Sequence, residues 1–376
     1  MSCDFPRSFW LMGLMRPMGL MGLIGLIGLM GCSKAEEEQL SNDTTIEVMS
    51  YVAGFEENTF ATRSWDPTPY VLYGEIDKAI GIAFTENNTT PKLGYFFTSS
   101  GKWRTNIDDI EAKPYYLYGY VPHFGGISMS ITDRDGFNAN YSAGAKVTLS
   151  NVPAVMPSDL CVVIGAKEGT DKETVEGLRR GDFAYQGSAS AEGNYVFLLF
   201  DHLYAALRIR MRVHDDYAAL RTIKLKSLSL KTYAGETTSS QKTNIVVILE
   251  ATGGSNPIQS ITYTPSGSAM TEPMEFWSSE SEELTTAPKT FVGHFMPDGI
   301  TTLVLTSVYD VYDKNGEGNL IRKDCKATNT MELRELLTDQ VTTSRGSRYT
   351  INMTIKPTYL YMLSEPDLDN PTVTVE

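Results

Sequence analysis

Along most of the chain, apolar residues recur at every second position for several residues and then give way to clusters of Gly, Pro, Asn, Asp and Ser. A period of two is the signature of a pleated strand with one buried face. It is clearest where Leu207, Ile209, Met211 and Val213 alternate with Arg208, Arg210 and Arg212. Near the C-terminus Tyr349, Ile351, Met353 and Ile355 alternate in the same way with Arg348, Thr350, Asn352, Thr354 and Lys356. Both segments are predicted to be half-buried antiparallel strands. Further strands are predicted at 46–53, 69–74, 79–84, 93–98, 115–121, 159–166, 194–201, 221–232, 243–250, 258–264, 290–296 and 300–309. Within 221–232 the apolar phase slips between Leu225 and Leu228, which predicts a bulge. Helical periodicity is confined to 170–180, where Thr170 and Asp171 can cap, and 330–340, where Leu333, Leu336 and Leu337 share a face. The fold class expected from this pattern is all-β.

The first segment stands apart. From Met18 to Gly31 the run MGLMGLIGLIGLMG carries no charge, after Arg7 and Arg16 as the only preceding basic residues. It is shorter than the roughly 20 residues needed to span a bilayer, and it has the form of a removable signal-peptide core. Residues 1–31 are therefore set aside from the fold. A charge- and Gly-rich interval from Lys167 to Gly193 separates two groups of strands and places a domain boundary there, with halves at 45–190 and 191–376.

Composition agrees with a folded β-protein. Hydrophobic residues make up 41% and charged residues 21% of the 376, a balance that supports a core. The net charge of −14 argues against nucleic acid as a partner. Loss of residues 1–31 removes two basic residues and one acidic one, so the mature chain stands at −15; the acidity belongs to the folded part.

No catalytic signature emerges. His123, His202, His214 and His294 are far apart, and none has a metal-ligand spacing, so no metal and no cofactor is expected. His202, at the end of an apolar run, is read as a satisfied histidine at a strand edge. Of the four cysteines, Cys161 lies in an apolar run and is read as a small buried hydrophobe; Cys161 and Cys325 do not form a disulfide framework. Carboxylates at Asp108, Asp109, Glu111, Glu280, Glu282 and Glu283 are plentiful, but sequence does not show two of them facing across a cleft, as sugar hydrolysis requires. The run Glu272 to Glu283 is read as a solvated loop with an anchored aromatic, and Trp103, Tyr115, Tyr116, Tyr118 and Tyr120 as core and rim packing. Arg208, Arg210, Arg212, Lys224 and Lys226 would form a basic stripe if their two strands paired, a solvated face suited to docking an acidic loop.

Leu29-Met30-Gly31-Cys32, the run Glu36-Glu37-Glu38, the step Ala61-Thr62-Arg63-Ser64 and the passages at 158–160, 196–203 and 346–353 follow one another in an order that resembles the fimbrillin-like lipoproteins of the Bacteroidales. Leu29-Met30-Gly31-Cys32 resembles a lipobox, with signal cleavage between Gly31 and Cys32 and lipid on Cys32. An acidic tether at 32–44 containing Glu36-Glu37-Glu38 follows, then the step Ala61-Thr62-Arg63-Ser64. Ser158-Asp159-Leu160 and Val196-Phe197-Leu198-Leu199-Phe200-Asp201-His202-Leu203 are similar to the family's passage at its domain junction, and Gly346 to Met353 to its last core strand.

The resemblance implies two tandem transthyretin-like Greek-key β-sandwich domains, no enzymatic activity, and a structural subunit of surface fimbriae supporting cell adhesion. The implied location is the cell outer membrane, with the lipid anchor, other fimbrial subunits, and host or bacterial surface ligands as partners. In the implied assembly by β-strand complementation, cleavage after Arg63 releases the strand at 46–52, and a tail at 357–376 acts as donor through Tyr359, Tyr361, Leu363, Val373 and Val375. A tail folded into the second domain instead implies an anchor, accessory or tip subunit. A carbohydrate-binding surface lipoprotein is the alternative, and it requires exposed Trp and Tyr clustered at a sheet edge.

Overall fold

The computed structural model describes residues 46–52, 55–57, 71–72, 79–108, 110–111, 113–169, 177–186, 195–314, 318–333, 342–356 and 372–375. Gly31, Cys32, the tether, Arg63, Tyr359, Tyr361 and Leu363 lie outside the described residues.

The chain is nearly all β. The strands begin with β1 (Glu47–Val52), β2 (Glu56–Glu57), β3 (Val71–Leu72), β4 (Ala79–Thr85), β5 (Lys92–Ser99), β6 (Lys102–Thr105), β7 (Pro114–His123) and β8 (Ser128–Asp133). They continue with β9 (Gly144–Pro153), β10 (Val155–Met156), β11 (Cys161–Gly169), β12 (Ala184–Gln186), β13 (Tyr195–His202), β14 (Ala205–Val213), β15 (Arg221–Ala234) and β16 (Thr237–Thr238). The last are β17 (Ser240–Glu250), β18 (Ile258–Ala269), β19 (Met274–Leu284), β20 (Lys289–Phe295), β21 (Thr302–Asp313), β22 (Leu320–Glu332), β23 (Ser347–Ile355) and β24 (Thr372–Val375). A short helix, α1 (Asp215–Ala218), turns the chain between β14 and β15.

Four sheets result. Sheet I runs β3-β1-β13-β11-β7-β4-β5-β6, with β12 beside β7; sheet II runs β10-β20-β14-β23-β2, with β24 beside β23. Sheet III runs β16-β15-β21-β22, with β19 beside β15, and sheet IV runs β18-β17-β9-β8. Pairing crosses residue 190 at β1 with β13, β9 with β17, and β10 with β20.

Burial explains the two kinds of apolar pattern. Sheets II and III share a core in which Leu207, Ile209, Met211, Ile351 and Met353 meet Ile223, Leu225, Leu228 and Leu305. The other face of β14 carries its arginines, so the sequence there alternates. Sheet I is apolar on both faces. Tyr118, Tyr120, Val162, Ile164 and Leu199 pack with Val147, Leu149 and Val247 of sheet IV, while Ile80, Ile82, Phe84, Val163, Leu198 and Phe200 form a separate cluster with Ile107 and Ile110. Doubly buried strands need no polar face, so β11 and β13 read as continuous apolar runs. The Tyr-rich β7 is core, as expected: Tyr115, Tyr118 and Tyr120 are buried. At its centre, Gly119 lies so close to β4 that a Cβ would stand 2.2 Å from the Gly81 carbonyl oxygen.

The bulge predicted in 221–232 is present, with the register of β15 shifting between Leu225 and Ser227 against both β19 and β21. Other expectations are corrected. The alternating strands β14 and β23 pair with each other in parallel, although β14 is antiparallel to β20 on its other side. The run expected to be a solvated loop contains strand β19, whose pairing to β15 is broken by two register shifts that erase the simple alternation. Its aromatics are anchored as read: Phe276 is buried and Trp277 packs edge-on against Phe291 at 4.6 Å. Of the helix predicted at 170–180, residues 177–180 are described and are not helical; of that at 330–340, residues 330–332 belong to β22, Leu333 is helical, and 334–340 lie outside the described residues.

The turn after β8 carries a testable electrostatic feature. The Asp133 carboxylate accepts backbone N–H bonds from Phe137 (2.7 Å), Ala139 (3.0 Å) and Asn140 (2.9 Å). Burial pushes its pKa up, but the backbone donors outweigh that, and the net value falls below the ordinary 3.8. A depressed carboxylate contributes stability that is present above the unfolded value and lost as pH falls through the folded one. Asp133→Asn is therefore expected to lower stability by about 1–2 kcal/mol at pH 7. Urea titrations at a series of pH values should show the gap to wild type closing in acid; a gap independent of pH would contradict this account.

Candidate functional site

The chain passes from sheet I to sheet II at the end of β13, where only Leu203 and Tyr204 separate β13 from β14. The passage is held by backbone and hydroxyl bonds. Leu203 N–H donates to the Leu160 carbonyl (2.7 Å), Gly346 N–H to the Tyr204 carbonyl (2.7 Å), and the Tyr263 hydroxyl to the Leu203 carbonyl (3.0 Å). The Tyr204 hydroxyl, whose pKa is raised well above its ordinary value by burial, donates to the Pro153 carbonyl.

Polar side chains converge at this passage because register puts them there. Cys161 and His202 are direct partners across β11 and β13, and Asp159 stands two residues before Cys161. Asp159 Oδ2 lies 2.5 Å from His202 Nδ1 and 3.0 Å from Cys161 Sγ, and Sγ is 3.7 Å from Nδ1. All three residues are buried. One carboxylate oxygen accepts from both neighbours, so His202 is the satisfied histidine expected. Cys161 is more than a small hydrophobe, since its thiol donates to Asp159. Cys161 and Cys325 are both buried and are not joined to each other. Beside this trio, Arg345 Nη1 donates to Asp201 Oδ2 (3.0 Å) and to the His202 carbonyl (2.9 Å), tying the approach to β23 onto the end of β13.

The N-terminal segment lies across the passage. β1 pairs in parallel along β13, with Glu47 to Val52 opposite Tyr195 to Phe200, and β2 pairs in parallel with β23, with Glu56 and Glu57 opposite Ser347 and Arg348. Between them Phe55 stacks on the His202 ring at 4.0 Å, lies 5.8 Å from the His294 ring, and has the Arg348 guanidinium 5.2 Å from its centroid. One short segment thus adds to two sheets. The same edge of β23 also receives the C-terminal end, because β24, which holds Val373 and Val375, pairs antiparallel with Ile351 to Thr354. β14 takes the opposite edge of β23.

The expected basic stripe is corrected. β14 and β15 do not pair but lie in different sheets. Lys224 sits over the Tyr312 ring and Lys226 is paired with Asp324, both on sheet III. On sheet II the row of Arg208, Arg210 and Arg212 is continued across β23 by Thr350, Asn352 and Thr354, with Arg208 and Arg212 donating to Thr350 and Thr354.

Sequence reasoning marked Asp159, Asp201 and His202 through their two short passages but did not join them. Arg348 was marked only as a polar position of its strand, and Phe55 and Arg345 were missed; none carries a local signal for its role, which comes from strands distant in sequence.

The fold and this junction define a nearly all-β protein whose described residues form four sheets, and in which an N-terminal segment and the C-terminal end share one strand edge. No protein-family model matches the chain, and no curated protein sequence matches it. Among solved structures it is similar to a candidate cell adhesion protein from Bacteroides uniformis, at 15% identity over 89% of this chain and 98% of that one, with a TM-score of 0.32. A second, from Bacteroides fragilis, is 9% identical over 88% of this chain and 97% of that one, with a TM-score of 0.41. A fimbrial protein from Bacteroides ovatus is 10% identical over 83% of this chain and 50% of that one, with a TM-score of 0.29.

Proposed function

We propose that the chain is a structural, non-catalytic subunit of surface fimbriae, anchored in the outer membrane through lipid on Cys32 and assembled by β-strand complementation. In this reading each pair of facing sheets, I with IV and II with III, is a transthyretin-like sandwich, and the expected boundary near residue 190 is crossed by strand pairing. Cleavage after Arg63 then frees residues 32–63, the lipidated Cys32 and the strand at 46–52 with them, and the tail of a second copy takes the vacated edges.

The observation that carries the reading is the shared edge of β23. A segment that lies just before Arg63 and the end of the tail both add strands to it, β2 at Ser347 and Arg348 and β24 at Ile351 to Thr354. An edge with unpaired backbone groups is a template for any added strand. β2 is two residues long and β24 four, so both are held by few backbone bonds and belong to the easily opened end of the structure. β24 on its own chain is a parked donor, withdrawn when the tail moves to a neighbour.

Incubating the purified mature protein with an arginine-specific protease is expected to yield a ladder of oligomers resistant to detergent. A product that is cleaved after Arg63 yet stays monomeric would overturn the reading.

A further inference from the structure

The place of Phe55 has the chemistry of a seat for an aromatic ring. Its floor is the flat His202 imidazole, stacked on the ring at 4.0 Å with an interplanar angle of 23°. That imidazole is held in position by Asp159 through Nδ1, and its own carbonyl is held by Arg345. His294, fixed by its Nδ1 against the Pro157 carbonyl (3.2 Å), and the Arg348 guanidinium supply two further groups that favour a π-system over an aliphatic side chain. His202 and His294 are buried, and they lie in β13 and β20 of different sheets, so the seat is built by the fold rather than by the segment that fills it. Phe55 enters it at the step between β1 and β2, where the segment passes from sheet I to sheet II.

We infer that this recess is an aromatic-reading seat for strands added in trans: after residues 46–63 leave, it takes Tyr359 or Tyr361 from the tail of a second copy. The inference rests on the strand-complementation reading and names what fixes the register of the incoming strand. A one-residue slip turns every side chain of a strand to the other face, so a single ring locked in a rigid recess selects one alignment. Tyr359 and Tyr361 are the two aromatic residues of 357–376, and they stand two positions apart, on the same face of an extended strand. Phe55 holds the seat until then.

The test is a peptide of residues 357–376 titrated into protein cleaved after Arg63 and freed of the released segment. The wild-type peptide and one with both tyrosines changed to Phe are expected to bind alike. Changing both to Ala should weaken binding about 30-fold, as loss of a buried aromatic anchor does, and changing both to Leu should weaken it by about tenfold. Ala or Leu peptides binding as tightly as wild type would overturn the seat while leaving strand addition intact. Failure of every peptide to bind the cleaved protein would overturn both.

Discussion

Arg63→Ala is expected to abolish the oligomer ladder that an arginine-specific protease produces from the mature protein, while leaving the monomer folded. The effect is all-or-none because the edges at issue are already occupied. β1 covers β13 over six residue pairs, and β2 covers the start of β23. Phe55 pins the step between them onto His202. As long as residues 46–63 remain joined to the rest of the chain, a displaced segment returns at the high effective concentration of an intramolecular strand and outcompetes a strand from another molecule. Cutting after Arg63 removes that advantage. Size-exclusion chromatography and detergent gels of wild type and mutant, with circular dichroism to confirm the fold, make the comparison. Equal ladders from both proteins would mean that cleavage at Arg63 is not the trigger.

Asp159→Ala is expected to be the most damaging single change at the junction, lowering stability by about 3–5 kcal/mol. Asp159 Oδ2 accepts from His202 Nδ1 and from Cys161 Sγ, in a place where all three residues are buried. Alanine removes the acceptor for both and leaves a void, so a buried imidazole and thiol lose their bonds to the carboxylate. Asp159→Asn keeps the volume and one acceptor oxygen, and its loss should be intermediate. Urea unfolding is the measurement, with the midpoint falling and the slope unchanged. A loss below about 1 kcal/mol would show that the trio contributes little beyond packing. Because the same His202 ring is the floor under Phe55, Asp159→Ala should also let the N-terminal segment open more readily, which faster proteolysis near Arg63 would report.

Much of this architecture was legible in the order of residues. β14 and β23 announce themselves because each has one face in the core between sheets II and III and one face outside it, so the side-chain alternation of a strand is written into the sequence. The bulge in β15 is visible as a phase slip for the same reason. β11 and β13 were found as apolar runs, but the reason they do not alternate, burial of sheet I on both faces, belongs to the packing. β19 was missed because two register shifts in its pairing with β15 scramble the pattern, and its anchored aromatics alone survive as signal. The parallel pairing of β14 with β23 was misread because alternation reports which face is buried and carries no record of the direction of the neighbour.

The junction was the least legible part. Asp159 and His202 are 43 positions apart, and Phe55 and Arg348 are further still, yet they meet within one hydrogen bond or one ring contact. Local chemistry, meaning period, charge and turn residues, acts over a few positions and determined by itself that the chain is a strand-rich β-protein. Which strands become neighbours depends on covering both faces of sheet I and closing the core between sheets II and III, a condition on the whole chain. Only that condition brought β2 and β24 to one edge of β23 and set Phe55 on His202.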